Sequence, residues 1–410
     1  MAEPTALTPR PFRGGLGPAD DDLASCVHCG LCLNDCPTFR ITGLETESPR
    51  GRIYLMTQWS RGDLLFDAKQ ARHIDLCLGC RACEAVCPSG VPYGRIIEQA
   101  RAEIERHRRR DPTRQIARFA LRNLVAHPDR LRSAGMAVRL AQRFRLTQLS
   151  AQGRRLPKLE RPFTPPAGAI VPAIGERRLR VAFLTGCVMP IMYPKAHAAS
   201  VSLLQLAGCE IWFPPGQACC GALHAHSGDS KTAESLRQVN SVAFAAADFD
   251  YLVVNSAGCG AHIKDSYLPI STKVRDLSEL LIEVGIPKPS HRLAQRVTYQ
   301  DACHLAHAQR IKTQPRQLMA MMAGLELVEM HHPDVCCGAA GLYSAVEPDM
   351  SARILDEKLD DLIATGAQAV VCANPGCQMQ LEAGLRSRRS TMQVLHIAEL
   401  LLLGYPEHQA

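Results

Sequence analysis

The chain has 410 residues, 18 cysteines and a formal net charge of +7, with 46% hydrophobic and 21% charged residues. That balance is globular, with length for about two or three domains, and it excludes a disordered or fibrous chain. No run of about 18 apolar residues occurs, and the opening MAEPTALTPRPFRGG has no apolar stretch, so neither a membrane span nor a signal peptide is expected. A reducing cytosol is then the expected compartment, where many cysteines indicate metal or redox chemistry rather than disulfides.

Residues 1–20 are rich in Pro and Gly and are expected to be disordered. Residues 21–95 hold two dense runs, Cys26-x-x-Cys29-x-x-Cys32-x-x-x-Cys36-Pro37 and Cys77-x-x-Cys80-x-x-Cys83-x-x-x-Cys87-Pro88. This is the bacterial two-cluster ferredoxin spacing: three close thiolates grip three irons of one cubane, and the fourth ligand comes from the last cysteine of the other run. Cys26, Cys29, Cys32 and Cys87 are therefore expected to hold one [4Fe-4S] cluster, and Cys77, Cys80, Cys83 and Cys36 the other. Zinc would need only four ligands and no such series. Gly30 and Gly79 are expected to relieve crowding where backbone approaches sulfide. The insert between the runs reads as helix, notably Arg50–Ser60, so a helical module is expected.

Residues 96–178 form a basic helical segment, with breaks at Pro112 and Pro128, followed by a Pro-rich linker over 151–178. From Arg95 to Glu160 there are 17 Lys+Arg against 6 Asp+Glu, a balance of +11, so the rest of the chain sums to about −4. The segment, including Arg106–Arg110, reads equally as a seat on an anionic membrane or acidic partner and as a solvated helical face. No strong apolar stripe with Trp accompanies the charge.

The remainder is an internal repeat, with lobes at 179–290 and 295–405. Arg180–Cys187 (RVAFLTGC) matches Arg296–Cys303 (RVTYQDAC), and Cys219-Cys220-Gly221 matches Cys336-Cys337-Gly338. Tyr251–Cys259 (YLVVNSAGC) matches Ala369–Cys377 (AVVCANPGC), and Asp276–Leu281 (DLSELL) matches His396–Leu401 (HIAELL). Short apolar strands alternate with helical stretches such as Ser230–Phe249 and Pro348–Thr365, which predicts mostly parallel sheets with the cysteines at their carboxyl edges. The fold class is α+β multidomain: a helical two-cluster ferredoxin module followed by two repeated α/β Cys-Cys-Gly lobes. Cys187, Cys219, Cys220 and Cys259 are candidate ligands of a first-lobe centre, and Cys303, Cys336, Cys337 and Cys377 of a second-lobe centre, for an iron–sulfur cluster or zinc. A redox-inert core pair or reactive dithiol is the alternative. His224, His304 and His307 could be ligands, proton carriers or groups facing a quinone, against the commoner role of a satisfied core histidine. Cys209 and Cys372 lie outside the repeat and read as buried apolar thiols.

These residues resemble the iron–sulfur subunit of glycolate oxidase (glycolate dehydrogenase). The likeness rests on two ferredoxin-type runs followed by two Cys-Cys-Gly domains, and on Ser48–Leu55 (SPRGRIYL), Val27–Gly30 (VHCG) and Cys87–Val91 (CPSGV). It covers about Asp21 to Tyr405. The resemblance implies an electron-transfer subunit that takes electrons from FAD-bearing flavoprotein subunits oxidising glycolate to glyoxylate and passes them toward quinone or another acceptor. It implies no catalytic residue on this chain, in keeping with the lack of a G-x-G-x-x-G turn or P-loop, and no nucleic-acid partner. The expected place is the cytoplasm, with peripheral attachment to the inner face of the membrane. Related families with Cys-Cys-Gly domains are heterodisulfide reductases, the iron–sulfur subunit of anaerobic glycerol-3-phosphate dehydrogenase and lactate-utilisation proteins. In the fullest heterodisulfide reductase motif a fifth cysteine stands where this chain has Ser256 and Asn374, which argues against a five-cysteine cluster and against disulfide reduction. A metal or redox sensor is the remaining alternative.

Overall fold

The computed structural model describes residue 12 and residues 15–107, 112–150, 153–154, 156–267 and 269–408. Most of the N-terminal stretch expected to be disordered, and residues 108–110 of the basic run, lie outside them.

The first module is helical: α1 (Asp20–Ala24), α2 (Pro37–Thr42), α3 (Pro49–Arg61), α4 (Ala68–Asp75), α5 (Ala82–Ala85) and α6 (Tyr93–His107). Pro37 and Pro49 open their helices at the first turn, where a missing N–H costs nothing. Ser48 caps α3 by accepting from Gly51 N at 3.0 Å. Ile53, Met56 and Trp59 of α3 pack against Ile74 of α4 and Ile96, Ile97, Ala100 and Ile104 of α6. Each such side chain contributes about 1.5–3 kcal/mol on burial. Phe12 is also buried here, stacked on Trp59 at 5.4 Å, so the ordered body begins earlier than the composition suggests.

The basic segment follows as α7 (Pro112–Ala120), a π-helical turn (Leu121–Val125) and α8 (Pro128–Arg143). Pro112 and Pro128 each stand at the first position of a helix, so the segment is interrupted at both. The stretch 151–178 is more than a linker. It contains β1 (Ile170–Val171), which pairs antiparallel with β3 (Cys209–Trp212) as an edge strand.

The two lobes repeat one topology. In the first, β2 (Leu179–Phe183), β3, β4 (Tyr251–Val254) and β5 (Val274–Asp276) lie parallel in the order β3-β2-β4-β5. In the second, β6 (Gln295–Tyr299), β7 (Leu325–Leu327), β8 (Ala369–Cys372) and β9 (Gln393–His396) lie parallel in the order β7-β6-β8-β9. The matched DLSELL and HIAELL segments have one physical cause. Asp276 and His396 each cap the following helix, with Glu279 and Glu399 returning to the cap backbone at 3.1 and 2.9 Å. The helix expected over 230–249 ends at Phe244, because the chain must turn before β4.

One apolar core spans both lobes, joining Val181, Phe183 and Val253 to Val297, Tyr299 and Val371. Cys209 and Cys372 are buried within it. Hydrogen bonds also join the lobes: Ala257 N donates to Ala373 O at 3.0 Å, and the His396 side chain donates from Nε2 to Asn255 O at 2.9 Å. The helical module sits on the carboxyl edges of both. Arg101 donates to His226 O at 2.8 Å, Tyr343 to Leu76 O at 2.9 Å and Arg353 to Ile41 O at 2.9 Å.

Candidate metal centres

The two cysteine runs are brought together as crossed sets. One hollow is lined by Cys26, Cys29, Cys32 and Cys87, with Cys83 at its inner wall. A second is lined by Cys36, Cys77, Cys80 and Cys83. Each therefore receives three thiols from one run and the last thiol of the other, the arrangement a pair of cubanes requires. Burial pushes the Cys32 thiol up to about 11 and those of Cys80 and Cys83 well above the ordinary range. These sulfurs are protonated without a cation beside them, so metal loading must release protons.

The SPRGRIYL segment is the scaffold of this site. Arg50 donates to His28 O at 3.2 Å and is held by Glu45 at 2.6 Å, which clamps the first cysteine loop. Gly51 is required because a Cβ there would lie 2.0 Å from Glu45 O. Arg52 is fully buried. It donates to Glu47 at 2.8 Å, Thr38 Oγ1 at 3.1 Å, His73 O at 2.6 Å and Cys36 Sγ at 3.9 Å. Tyr93 and the Gly79 amide donate to Cys77 Sγ at 3.8 and 3.3 Å. Donors to sulfur raise cluster potentials. Gly30 and Gly79 have φ of 83° and 65°, a left-handed backbone that favours glycine, and a Cβ at Gly30 would lie 2.5 Å from the Arg50 guanidinium. A Cβ at Gly79 would meet nothing nearer than Arg101 at 3.8 Å.

Each lobe gathers its four cysteines at the carboxyl edge of its sheet. In the first, Cys187 lies 3.3 Å from Cys219 and Cys220 lies 3.1 Å from Cys259, with Cys219 and Cys220 also in contact. The second repeats this chain of sulfurs, Cys303 to Cys336 to Cys337 to Cys377. Hydrogen bonds from Cys187 and Cys220 drive the Cys219 thiol well down, and those from Cys336 and Cys377 do the same to Cys337. The four thiols of each lobe, in contact as a chain, are soft donors of the kind zinc and iron–sulfur clusters take. Ser256 and Asn374 meet each other across the lobe boundary at 3.4 Å, and Asn374 Nδ2 donates to Cys377 Sγ at 3.6 Å. These two positions bridge the lobes.

Both tetrads open on one cavity of about 310 Å³, which Cys77 also lines. Of the histidines singled out from sequence, only His304 reaches it. His224 is buried behind, 3.5 Å from Asp229, and His307 donates to Asp334 O at 2.9 Å. His226 lines the cavity instead, bonded to Glu98 at 2.6 Å and stacked on His304 at 5.0 Å. Nothing in the repeat marks it, since the second lobe has no counterpart. The glycine after each pair has φ near 90°, and a Cβ at Gly338 would lie 2.7 Å from Ser351 O. Gly338→Ala is expected to cost about 1–3 kcal/mol, from the left-handed backbone and this contact. A lower unfolding midpoint with unchanged spectra of the first module would check it.

Family models place this geometry. A 4Fe-4S dicluster domain matches residues 22–91, and a cysteine-rich domain matches twice, at 181–264 and 297–382. The chain is thus an iron–sulfur protein, a dicluster module joined to two cysteine-rich domains. It is 39% identical over 417 aligned positions to a Bacillus subtilis protein named "Probable glycolate oxidase iron-sulfur subunit", covering 93% of this chain and 94% of the relative. It is 30% identical to the glycolate oxidase iron–sulfur subunit of Escherichia coli, covering 93% and 95%. Lactate utilization protein A of an Exiguobacterium species is 28% identical over 55% of this chain and 97% of its own length. The chain belongs to the family of glycolate oxidase iron–sulfur subunits.

Proposed function

We propose that this chain is the electron-transfer subunit of a flavin-dependent glycolate dehydrogenase. Flavoprotein partners oxidise glycolate to glyoxylate, and this chain carries the electrons toward quinone or another acceptor at the inner face of the membrane. Cys26, Cys29, Cys32 and Cys87 hold the first [4Fe-4S] cluster, and Cys77, Cys80, Cys83 and Cys36 the second. The lobe tetrads, Cys187, Cys219, Cys220 and Cys259 with Cys303, Cys336, Cys337 and Cys377, hold further metal centres. Bound clusters supply one-electron carriage, and the chain's residues hold them in line and keep water out.

The observation that carries this reading is the order of the sites. The first loop is at the surface, with Cys29, Val27 and Leu31 exposed, where a partner can approach. In the second set Cys36, Cys77 and Cys83 are buried, and the half-buried Cys80 packs in one apolar cluster with Cys303 and Cys336 of the second lobe. The cysteine sets thus run from the exposed loop to the shared cavity: Cys83 lines both hollows, and Cys77 lines both the second hollow and the cavity. No described helix is long and apolar enough to cross a membrane, so a membrane acceptor would have to be met from outside the bilayer.

The test is anaerobic co-expression with flavoprotein subunits encoded beside it, with glycolate, lactate or glycerol 3-phosphate offered and a dye as acceptor. Glycolate-dependent dye reduction that needs this chain and is lost in Cys80→Ser is the expected result. Activity with lactate alone would favour the second reading, a lactate dehydrogenase subunit, which the likeness to the lactate utilization protein supports. No complex, with Cys80→Ser indistinguishable from wild type, would overturn both.

A further inference from the structure

The outer face of α8 serves neither the cysteine sites nor the lobe cores. Its inner side is held in place: Leu131 packs with Val125, Cys187 and Cys219. Gly135 lies so close to Ile191 that a Cβ would come within 2.6 Å of Cγ2. Gln142 donates to Pro157 O at 2.7 Å and accepts from Leu159 N at 2.9 Å. The outer side is apolar. Met136, Leu140 and Phe144 recur every fourth residue and are 56%, 57% and 65% exposed, so they form one stripe along the helix. Leu146 and Leu149, in the turn beyond the left-handed Arg145, are exposed as well. On a helical projection Arg139 and Arg143 border the stripe on one side and Arg130 on the other.

The charge is one-sided. Residues 112–149 contain eight arginines and one aspartate, a balance of 8 − 1 = +7. Arg114, Arg118, Arg122 and Arg132 each meet a carboxylate. Arg139, Arg143 and Arg145 meet none among the described residues. An apolar stripe bordered by cations whose stems are themselves apolar is the build of a helix lying in the plane of an anionic lipid interface.

We propose that the Met136–Leu140–Phe144 face of α8, with Arg139, Arg143 and Arg145, seats this chain on an anionic lipid surface. This rests on the reading that electrons leave toward a membrane acceptor, and it names the element that makes the contact. The same helix covers Cys187 and Cys219 from the other side, so docking brings the first-lobe tetrad to about one helix diameter, ~10 Å, from the lipid headgroups. An acidic protein is the competing occupant. The narrow straight stripe with a border of flexible, unpaired cations matches a fluid anionic surface better than a shaped one.

The experiment is co-sedimentation of the full chain, reconstituted anaerobically, with vesicles of phosphatidylglycerol or of phosphatidylcholine. Wild type is expected to bind the first and not the second, less so as salt rises. Leu140→Glu with Phe144→Glu, and separately Arg139→Gln with Arg143→Gln, are each expected to weaken binding about tenfold or more. Iron content and dye-linked oxidation by the assembled complex should not change, since these side chains touch no cysteine. Wild type that ignores anionic vesicles, or variants that bind as wild type does, would overturn the proposal. So would variants that keep vesicle binding but no longer co-purify with the flavoprotein subunits. An assembled complex inactive with every substrate would instead count against the electron-transfer reading, and the vesicle result would stand separately.

Discussion

Cys36→Ser is expected to remove the cluster of the second run and spare that of the first. Cys36 lies in the first run, yet it shares its hollow with Cys77, Cys80 and Cys83 and not with Cys26, Cys29 and Cys32. Its neighbourhood is built for that task. Its sulfur contacts Thr38 Oγ1 at 3.3 Å and Glu47 O at 3.6 Å, with the Arg52 guanidinium beyond. Iron analysis should find roughly four of about eight irons of the dicluster module lost, and paramagnetic resonance of the reduced protein should lose its cluster–cluster coupling. Cys87→Ser should give the reciprocal result. Loss of the first cluster in Cys36→Ser would show that each run holds its own. Dye-linked activity should fall to background, because the path from the exposed loop to the lobes is cut at the buried step.

The second large effect is expected from Arg52→Met. Arg52 and Glu47 form an ion pair of 2.8 Å in which both side chains are nearly inaccessible. Opposing charges and the hydrogen bonds to Thr38, His73 and Cys36 compensate the desolvation of the guanidinium. Removing it leaves the buried Glu47 carboxylate with the imidazole of His73, at 2.5 Å, and no guanidinium. The cost should be about 3–5 kcal/mol, read as a lower unfolding midpoint of the dicluster module and faster cluster loss in air. Arg52→Met combined with Glu47→Gln should recover part of it, since no unpaired charge remains. A single variant as stable as wild type would show that the pair is dispensable.

Spacing in the chain accounts for much of this protein. The two ferredoxin-type runs fix which thiols can meet, because three cysteines at such short intervals cannot also reach a fourth iron. The paired landmarks fix the repeat, because a strand, a capped helix and a cysteine loop must recur at matched intervals to build the same sheet twice. Local signals also read a helix over Arg50–Ser60; it runs from Pro49 to Arg61, with Ser48 as its cap and Gly51 at a tight contact. The edge strand at Ile170–Val171 was not legible. Two residues among prolines carry no periodicity, and only the free edge of β3 makes them a strand.

Side-chain surroundings were decided by the tertiary fold. In sequence Arg52 is one arginine among many, and its burial against Cys36 follows from α2, α3 and α4 closing round it. His224 follows a cysteine pair, so sequence leaves it between a site residue and a core histidine. The short helix Ala222–His226 turns it into the core and presents His226 to the cavity. Ser256 and Asn374 stand 118 residues apart, and their meeting depends on the two lobes packing around one shared core. The exposure of Met136, Leu140 and Phe144 is likewise a tertiary result: a helical apolar stripe normally faces a core, and this one turns outward because the opposite side of α8 is already packed against the first lobe. Sequence by itself determined which cysteines are the candidate ligands, since ligand chemistry and chain reach are local. Which groups surround them, and which face of the basic segment meets solvent, only long-range packing could decide.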